Sequence, residues 1–214
     1  MKTIKRLSIP GMVMVAVFVL GLGIANANII PTNTSITGSG PYTWNYQFDV
    51  SGDQIATIGP APASNPVPPD QIPTLNVGSF LTIYDFFGYV AGSCSGPSGW
   101  SCTAQNVGFT PSDTVPTDNP NIPNITWAYT GGAGLSNIVG PAFLTGFSAQ
   151  STSNLITTVS YTSRGTKNTI GAADGTIGDN VGLTSGPSAV PEPITLILFG
   201  TGLLGLFGIR RKLS

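Results

Sequence analysis

The middle of the chain, residues 28 to 189, contains few side chains that could carry acid–base or nucleophilic chemistry. The sequence has no histidine, which excludes Ser-His-Asp and Cys-His arrangements. Lys167 would serve a serine as a base only if it were desolvated, and a solvated surface lysine is the simpler interpretation. Glycoside hydrolysis needs two carboxylates that flank the sugar. The carboxylates of this region are all aspartates: Asp49, Asp53, Asp70, Asp85, Asp113, Asp118, Asp174 and Asp179.

These aspartates are interpreted first as turn residues. Gly52-Asp53, Pro69-Asp70 and Asp174-Gly175 are pairs typical of turns, in which a short polar side chain bonds to the nearby backbone. The sequence therefore favours a non-catalytic domain. A secreted glycan-active enzyme that uses paired aspartates is the alternative.

One short segment could bind a hard cation such as Ca²⁺. Asp174 and Asp179 supply carboxylate oxygens within a few residues of each other. Their spacing does not follow the EF-hand loop, and a polar β-turn is the competing interpretation. A transition-metal site would need histidine or more than two cysteines. We therefore expect no cofactor and no dedicated metal centre.

The charge of the middle region excludes one large class of partner. The region contains two cations, Arg164 and Lys167, and eight aspartates, so its net charge is −6. The whole-chain value of −1 conceals this, because the other six cations lie in the two terminal segments. A region so poor in cations lacks the positive footprint that nucleic acid requires.

The only two cysteines are Cys94 and Cys102, with seven residues between them. In an oxidising compartment a short-range disulfide is expected, and two free buried thiols are the alternative. Three nearby aromatic residues, Tyr84, Trp100 and Trp127, would stack on sugar rings if they were exposed. Aromatics at alternating strand positions are more often core residues.

The elements that must position these residues are predicted to be β-strands. Residues Tyr42 to Val50 alternate strictly, with Tyr42, Trp44, Tyr46, Phe48 and Val50 on one face. Further strands are predicted over 54–58, 80–89, 107–109 and 125–129, and a strand pair over 143–150 and 155–162. The proline-rich stretch 60–73 cannot join a sheet ladder and is predicted to be an exposed loop. The pattern indicates an all-β domain with a β-sandwich or jelly-roll-like architecture.

The chain begins with the features of a secretory signal peptide. Lys2, Lys5 and Arg6 precede an apolar stretch over 12–24, and Ala25-Asn26-Ala27 forms an A-x-A site. We expect an N-terminal signal helix within residues 1–27, removed by signal peptidase after Ala27.

The last 25 residues contain three parts in a fixed order. Val190-Pro191-Glu192-Pro193 is predicted to be extended, because proline lacks an amide donor and fixes φ. Residues 194–209 are uncharged and are predicted to form a transmembrane helix of roughly 24 Å. Arg210, Arg211 and Lys212, within the basic tail 210–214, would hold the end of that helix on the cytoplasmic side.

This tail resembles the PEP-CTERM sorting signal of Gram-negative bacteria, whose carriers are handled by exosortase, a membrane transpeptidase. The resemblance covers the tail alone and no family is recognised for the rest. It implies an exported protein, anchored transiently in the inner membrane with its domain outside, then placed at the cell surface or released. We expect four parts: the signal peptide 1–27, a β-rich domain 28–183, a linker 184–189 and the sorting segment 190–214. The expected role is a non-catalytic surface or matrix protein that associates with exopolysaccharide or biofilm.

Overall fold

The computed structural model describes residues 28–61, 77–107, 109–111, 113–171 and 174–189. Three predicted segments lie outside these residues: the signal helix, the sorting segment with the transmembrane helix predicted for it, and most of the proline-rich loop. Within the described ranges, no helix is both long and apolar enough to cross a membrane.

The described part of the chain is all-β and contains no helix. Its strands form a three-stranded sheet in the order β1-β2-β8 and a seven-stranded sheet in which β9 pairs with β10, β4 and β3. All pairings are antiparallel. The strands are β1 (Ile29–Thr37), β2 (Tyr42–Val50), β3 (Gln54–Ala56), β4 (Phe80–Ile83), β5 (Trp100–Gln105), β6 (Asn124–Tyr129), β7 (Ile138–Val139), β8 (Ala142–Ser151), β9 (Ile156–Lys167) and β10 (Ile177–Pro187).

The predicted alternation of β2 is confirmed. Its even-numbered residues from Trp44 to Val50 are buried, while the odd-numbered residues between them are only partly buried. The buried face of β2 packs on the seven-stranded sheet: the Phe48 ring centre lies 5.5 Å from that of Trp127 on β6. Phe147 of β8 stacks on Phe48 at 4.0 Å. The two sheets therefore share one aromatic core, and burial of such large rings is the main stabilising contribution.

The strand predicted over 54–58 is present in shorter form as β3, which pairs with β7 and β9. The predicted pairing of the strands 143–150 and 155–162 is wrong, although both strands exist. β8 and β9 do not form a hairpin: β8 pairs with β2, and β9 lies in the other sheet. Both β8 and β9 have an apolar inner face, and placing them in different sheets lets each face cover the core from its own side.

The predicted strand 80–89 is shorter than expected. β4 ends at Ile83, and Asp85 adopts a φ of 52°, which an extended strand does not tolerate. Tyr84 and Phe86 are nevertheless fully buried. Val107 and Phe109, also predicted to be strand residues, belong to no strand.

The predicted linker 184–189 begins inside the sheet. Residues 184–187 pair with residues 156–159 of β9 as the last part of β10. The amide of Ser188 also donates to the carbonyl of Leu155 at 2.8 Å. Only Ala189 separates this anchored end from Val190, so the tether between the sheet and the sorting segment is very short.

Candidate functional site

Arg164 is a buried cation, 3% exposed, on the outer face of the seven-stranded sheet. We call its contacts with Asp179, Phe80 and Phe109 the Arg164 clamp. Arg164 lies on β9 opposite Asp179 of β10 on one side and Phe80 of β4 on the other. Its Nε and Nη2 atoms each donate to a carboxylate oxygen of Asp179 at 2.7 Å. The guanidinium carbon lies 5.8 Å from the ring centre of Phe80 and 5.9 Å from that of Phe109. The bidentate ion pair orients the guanidinium, and its cation–π contact with Phe109 holds the loop that contains Phe109 on the sheet.

A second carboxylate approaches this clamp. Burial raises the pKa of Asp179, the hydrogen bonds and charge of Arg164 oppose that shift, and the nearby Asp113 adds to it. Asp113 and Asp179 are thus close neighbours, which the sequence did not indicate. Both carboxylate oxygens of Asp179 accept hydrogen bonds from Arg164. Asp113 and Asp179 therefore belong to a structural ion cluster and do not form a free acid–base pair.

The two aspartates considered as cation ligands, Asp174 and Asp179, each have another hydrogen-bond partner. Asp179 is bonded to Arg164, whereas an Oδ1 of Asp174 accepts the backbone amide of Thr169 at 3.1 Å. Asp174 therefore bonds to nearby backbone as a turn residue, which agrees with the interpretation of this segment as a polar turn. Within the described ranges, no group of three or more His, Cys, Asp and Glu side chains is placed to hold a metal ion.

Asp85 and Asp118 form another pair of neighbouring carboxylates. The side chain of Asn124 lies beside both: its Nδ2 donates to Asp118 at 3.0 Å, and its Oδ1 accepts the amide of Asp85 at 2.9 Å. Asp85 Oδ1 in turn accepts the amide of Asn119 at 2.8 Å. Burial raises the pKa of Asp118, the Asn124 hydrogen bond lowers it, and the charge of Asp85 raises it.

This raised pKa predicts a pH dependence of stability. Between the ordinary aspartate pKa and the raised folded value, the native state binds more protons than the unfolded chain. The contribution of Asp118 to the free energy of unfolding should therefore grow as pH falls through that window. Urea unfolding of the parent and of Asp118→Asn at pH 7 and pH 4 tests this. The difference between the two proteins should shift in favour of the parent at the lower pH, and an unchanged difference would contradict it.

The aromatics considered for sugar stacking are core residues instead. Tyr84 and Trp127 are fully buried and Trp100 is 8% exposed. Trp127 donates its Nε1 hydrogen to the carbonyl of Ser95 at 2.8 Å. Burial raises the pKa of Tyr84 to about 12, although hydrogen bonds with Thr110 and Thr162 lower it.

Phe143 is the exposed aromatic that the sequence did not identify; 72% of its surface is accessible. Strict alternation along β8 would place it on the same face as Phe147. The pairing with β2 shifts register between Tyr46 and Phe48, so β8 carries one extra residue there. Gly146, with a φ of 92°, lies in this bulge. The bulge turns Phe143 outward, opposite Asp49.

The outer face of the three-stranded sheet is covered by amides and hydroxyls. Asn33 pairs with Gln47 and Ser35 with Asn45 across β1 and β2, and these residues line a shallow depression of about 220 Å³. Gln47 donates to the carboxylate of Asp49 at 3.1 Å. The charged side chain of this face is Asp49; the residues around it are neutral hydrogen-bonding groups. They are Asn33, Ser35, Thr37, Thr43, Asn45, Gln47, Thr145, Ser148 and Gln150.

The predicted disulfide between Cys94 and Cys102 is confirmed, with the two Cα atoms 5.8 Å apart. Cys102 lies on β5 of the larger sheet. The neighbouring Ser95 exchanges two backbone hydrogen bonds with Ser148 on β8 of the smaller sheet, at 2.8 and 3.0 Å. The cysteine loop therefore ties the two sheets together at one end.

Removing this bond with the double variant Cys94→Ser, Cys102→Ser should lower the free energy of unfolding by ~2–3 kcal/mol, because the unfolded chain gains loop entropy. Urea unfolding monitored by tryptophan fluorescence measures the difference. Adding reductant to the parent protein should reproduce it, and reductant should leave the variant unchanged. Equal stability of parent and variant would contradict the prediction.

Comparisons with known proteins bear on the C-terminal part of the chain. No curated protein matches the chain at a significant level. Residues 189–212 match the family model for the PEP-CTERM protein-sorting motif. The match includes the Pro-Glu-Pro motif, the uncharged run and the cations Arg210, Arg211 and Lys212 that the sequence indicated. The chain therefore carries a PEP-CTERM protein-sorting motif at residues 189–212, which marks an exported protein that is anchored transiently in the membrane and processed there by exosortase.

Proposed function

We propose that the described domain is a β-sandwich that acts without catalysis, as a cell-surface or matrix module that binds neutral polysaccharide. Cleavage of the signal peptide after Ala27 and delivery to the cell surface or beyond belong to the same proposal. The shared core of the two sheets supports the sandwich architecture. The amide- and hydroxyl-rich outer face of the smaller sheet carries the proposed binding role.

The chemistry of that face matches an uncharged sugar chain. Amide and hydroxyl groups hydrogen-bond to sugar hydroxyls, and the exposed ring of Phe143 offers an apolar surface for a sugar face. The domain carries a net charge of −6 and the face has no cation, so an anionic polymer would be repelled. β2 is nine residues long, which corresponds to ~30 Å along the strand and to several sugar units.

Replacing Phe143 with alanine should weaken binding to a neutral polysaccharide by about fivefold, because roughly 1 kcal/mol of apolar burial is lost. Affinity electrophoresis of the exported protein in gels that contain dextran or a soluble β-glucan measures the retardation. Ile170→Ala is the matched control, since Ile170 is fully exposed but lies outside the face. Equal retardation of all three proteins would contradict the role of the face.

A glycan-active enzyme remains the second candidate because of the Asp85–Asp118 pair. A carboxyl group with a raised pKa beside a second carboxylate is an arrangement that glycosidases use. Both aspartates, however, are bonded to Asn124 or to neighbouring backbone groups. Incubating the exported protein with the polysaccharide it binds separates the two candidates. Shortened chains that disappear with Asp118→Asn would favour the enzyme, and unchanged chain length favours the binding module.

A further inference from the structure

β10 is an edge strand that lacks the usual protection against pairing. It has eleven residues and, within the described part of the chain, pairs with β9 alone. Natural proteins block such edges with exposed charges, proline or bulges. β10 has no proline before Pro187, and its pairing with β9 contains no bulge. Its one charge, Asp179, is held by Arg164 on the neighbouring strand.

The side chains of β10 are mainly apolar on the outer face and small or polar on the inner face. Ile177, Val181 and Leu183 are 51%, 43% and 71% exposed. On the opposite face, Gly178 and Gly182 provide no side chain that could hinder an approaching strand. An extended chain could therefore approach this edge without a steric obstacle from β10 itself.

The C-terminal part of β10 is not free to pair, because other parts of the domain lie beside it. The carbonyl of Ser185 already accepts the hydroxyl of Tyr46 at 3.2 Å. A groove of about 400 Å³ separates β1 from β10 here, lined by Pro31, Thr34, Leu183 and Ser185 among others. The unobstructed segment thus runs from Ile177 to Leu183, and Asn180 is its centre.

We propose that this segment pairs, antiparallel, with the same segment of a second copy of the chain, around a two-fold axis at Asn180. In that register Ile177 lies opposite Leu183 of the second copy, so apolar side chains meet on the outer face. Gly178 lies opposite Gly182 of the second copy, and Asp179 opposite Val181 of the second copy, so no two charges of the same sign are apposed. An isologous contact of this kind needs a self-complementary sequence, and 177–183 provides one.

The pairing would join two seven-stranded sheets into one continuous sheet. Seven residues a side bury less area than a standard stable interface. We therefore expect association that depends on concentration, which favours copies crowded on one surface.

Cross-linking at the axis tests the register directly. Residues directly opposite in antiparallel strands have Cα atoms ~4.5–5.5 Å apart, within the range for a disulfide. The full chain with Asn180→Cys, expressed and exported, should give a band of twice the monomer mass on a non-reducing gel. Ile170→Cys, which is more accessible than position 180 but lies off the strand, should not. Adding Val181→Lys and Leu183→Lys to the Asn180→Cys chain should lower the yield of dimer about tenfold.

A second measurement does not depend on the engineered cysteine, whose introduction removes the hydrogen bond from Asn180 to the Tyr161 hydroxyl. Light scattering of the processed parent protein should show a mass that rises with concentration, and Val181→Lys with Leu183→Lys should abolish the rise. A monomer at all concentrations would overturn the proposal. Equal cross-linking at positions 170 and 180 would overturn it as well, because it would indicate random collision.

Discussion

Replacing Arg164 with alanine is expected to lower the free energy of unfolding by about 3–5 kcal/mol. The substitution leaves the Asp179 side chain, which is only 8% exposed, without its partner and with Asp113 nearby. It also removes the guanidinium that lies over the rings of Phe80 and Phe109. The loop held on the outer face of the sheet should therefore loosen before the rest of the domain unfolds.

The other cation of the domain provides the matched control. Lys167 Nζ lies 3.6 Å from a carboxylate oxygen of Asp53, whose side chain is 40% exposed. Such a partly solvated pair contributes ~0–1 kcal/mol, so Lys167→Ala should have a small effect. The double variant Arg164→Met, Asp179→Leu should recover most of the stability lost in Arg164→Ala, because no buried charge is left unpaired. Urea unfolding curves of the parent, the two alanine variants and the double variant measure these differences. Equal losses of unfolding free energy for Arg164→Ala and Lys167→Ala would contradict a stabilising role of the buried Arg164–Asp179 pair.

The parts of the fold that local pattern determines were predicted correctly. β2 alternates because one face meets the core and the other meets solvent, and its sequence shows this directly. The disulfide was predicted from the oxidising compartment expected for an exported protein and from the short separation of the only two cysteines. In both cases the information lies within about ten consecutive residues.

β10 was missed because its composition resembles a loop. Gly178, Gly182 and Gly186 recur every fourth residue, a frequency that argues against a strand interior. The structure explains them by the partner strand. A Cβ atom on Gly182 would lie 2.6 Å from the ring of Tyr161, and one on Gly186 would lie 2.7 Å from Val159. Large side chains of β9 cover the glycines, which is information that no local pattern contains.

The candidate site was predicted less well than the fold, for a similar reason. The proximity of Asp113 to Asp179, and of Asp85 to Asp118, arises from loops that fold over a sheet. The exposure of Phe143 depends on a bulge that inserts one residue into β8. Each is a consequence of long-range pairing, so spacing along the sequence does not indicate it.

The shortness of the tether gives the last prediction, which concerns processing of the sorting segment. Ser188 is bonded to Leu155 at the end of the sheet, and the matched motif region begins at residue 189. We expect cleavage near the Pro-Glu-Pro motif, which would place the transpeptidase within a few residues of a folded domain. Inserting six Gly/Ser residues between Ala189 and Val190 should speed up removal of the tail, because the flexible spacer gives the enzyme access to an extended segment.

Changes within the motif should act in the opposite direction. Pro191→Ala with Pro193→Ala would let the predicted transmembrane helix extend backward through Glu192. Helical hydrogen bonds would then hide the peptide bonds, so processing should slow strongly. Pulse-chase labelling of the chain in exosortase-positive and exosortase-negative cells measures the rate of size reduction. An insertion of the same length between Thr37 and Gly38, in the turn after β1, controls for the added residues. If the spacer leaves the rate of tail removal unchanged while the proline variant slows it, recognition of the motif limits processing and the short tether does not. Equal tail removal in cells without exosortase would exclude the enzyme from the process altogether.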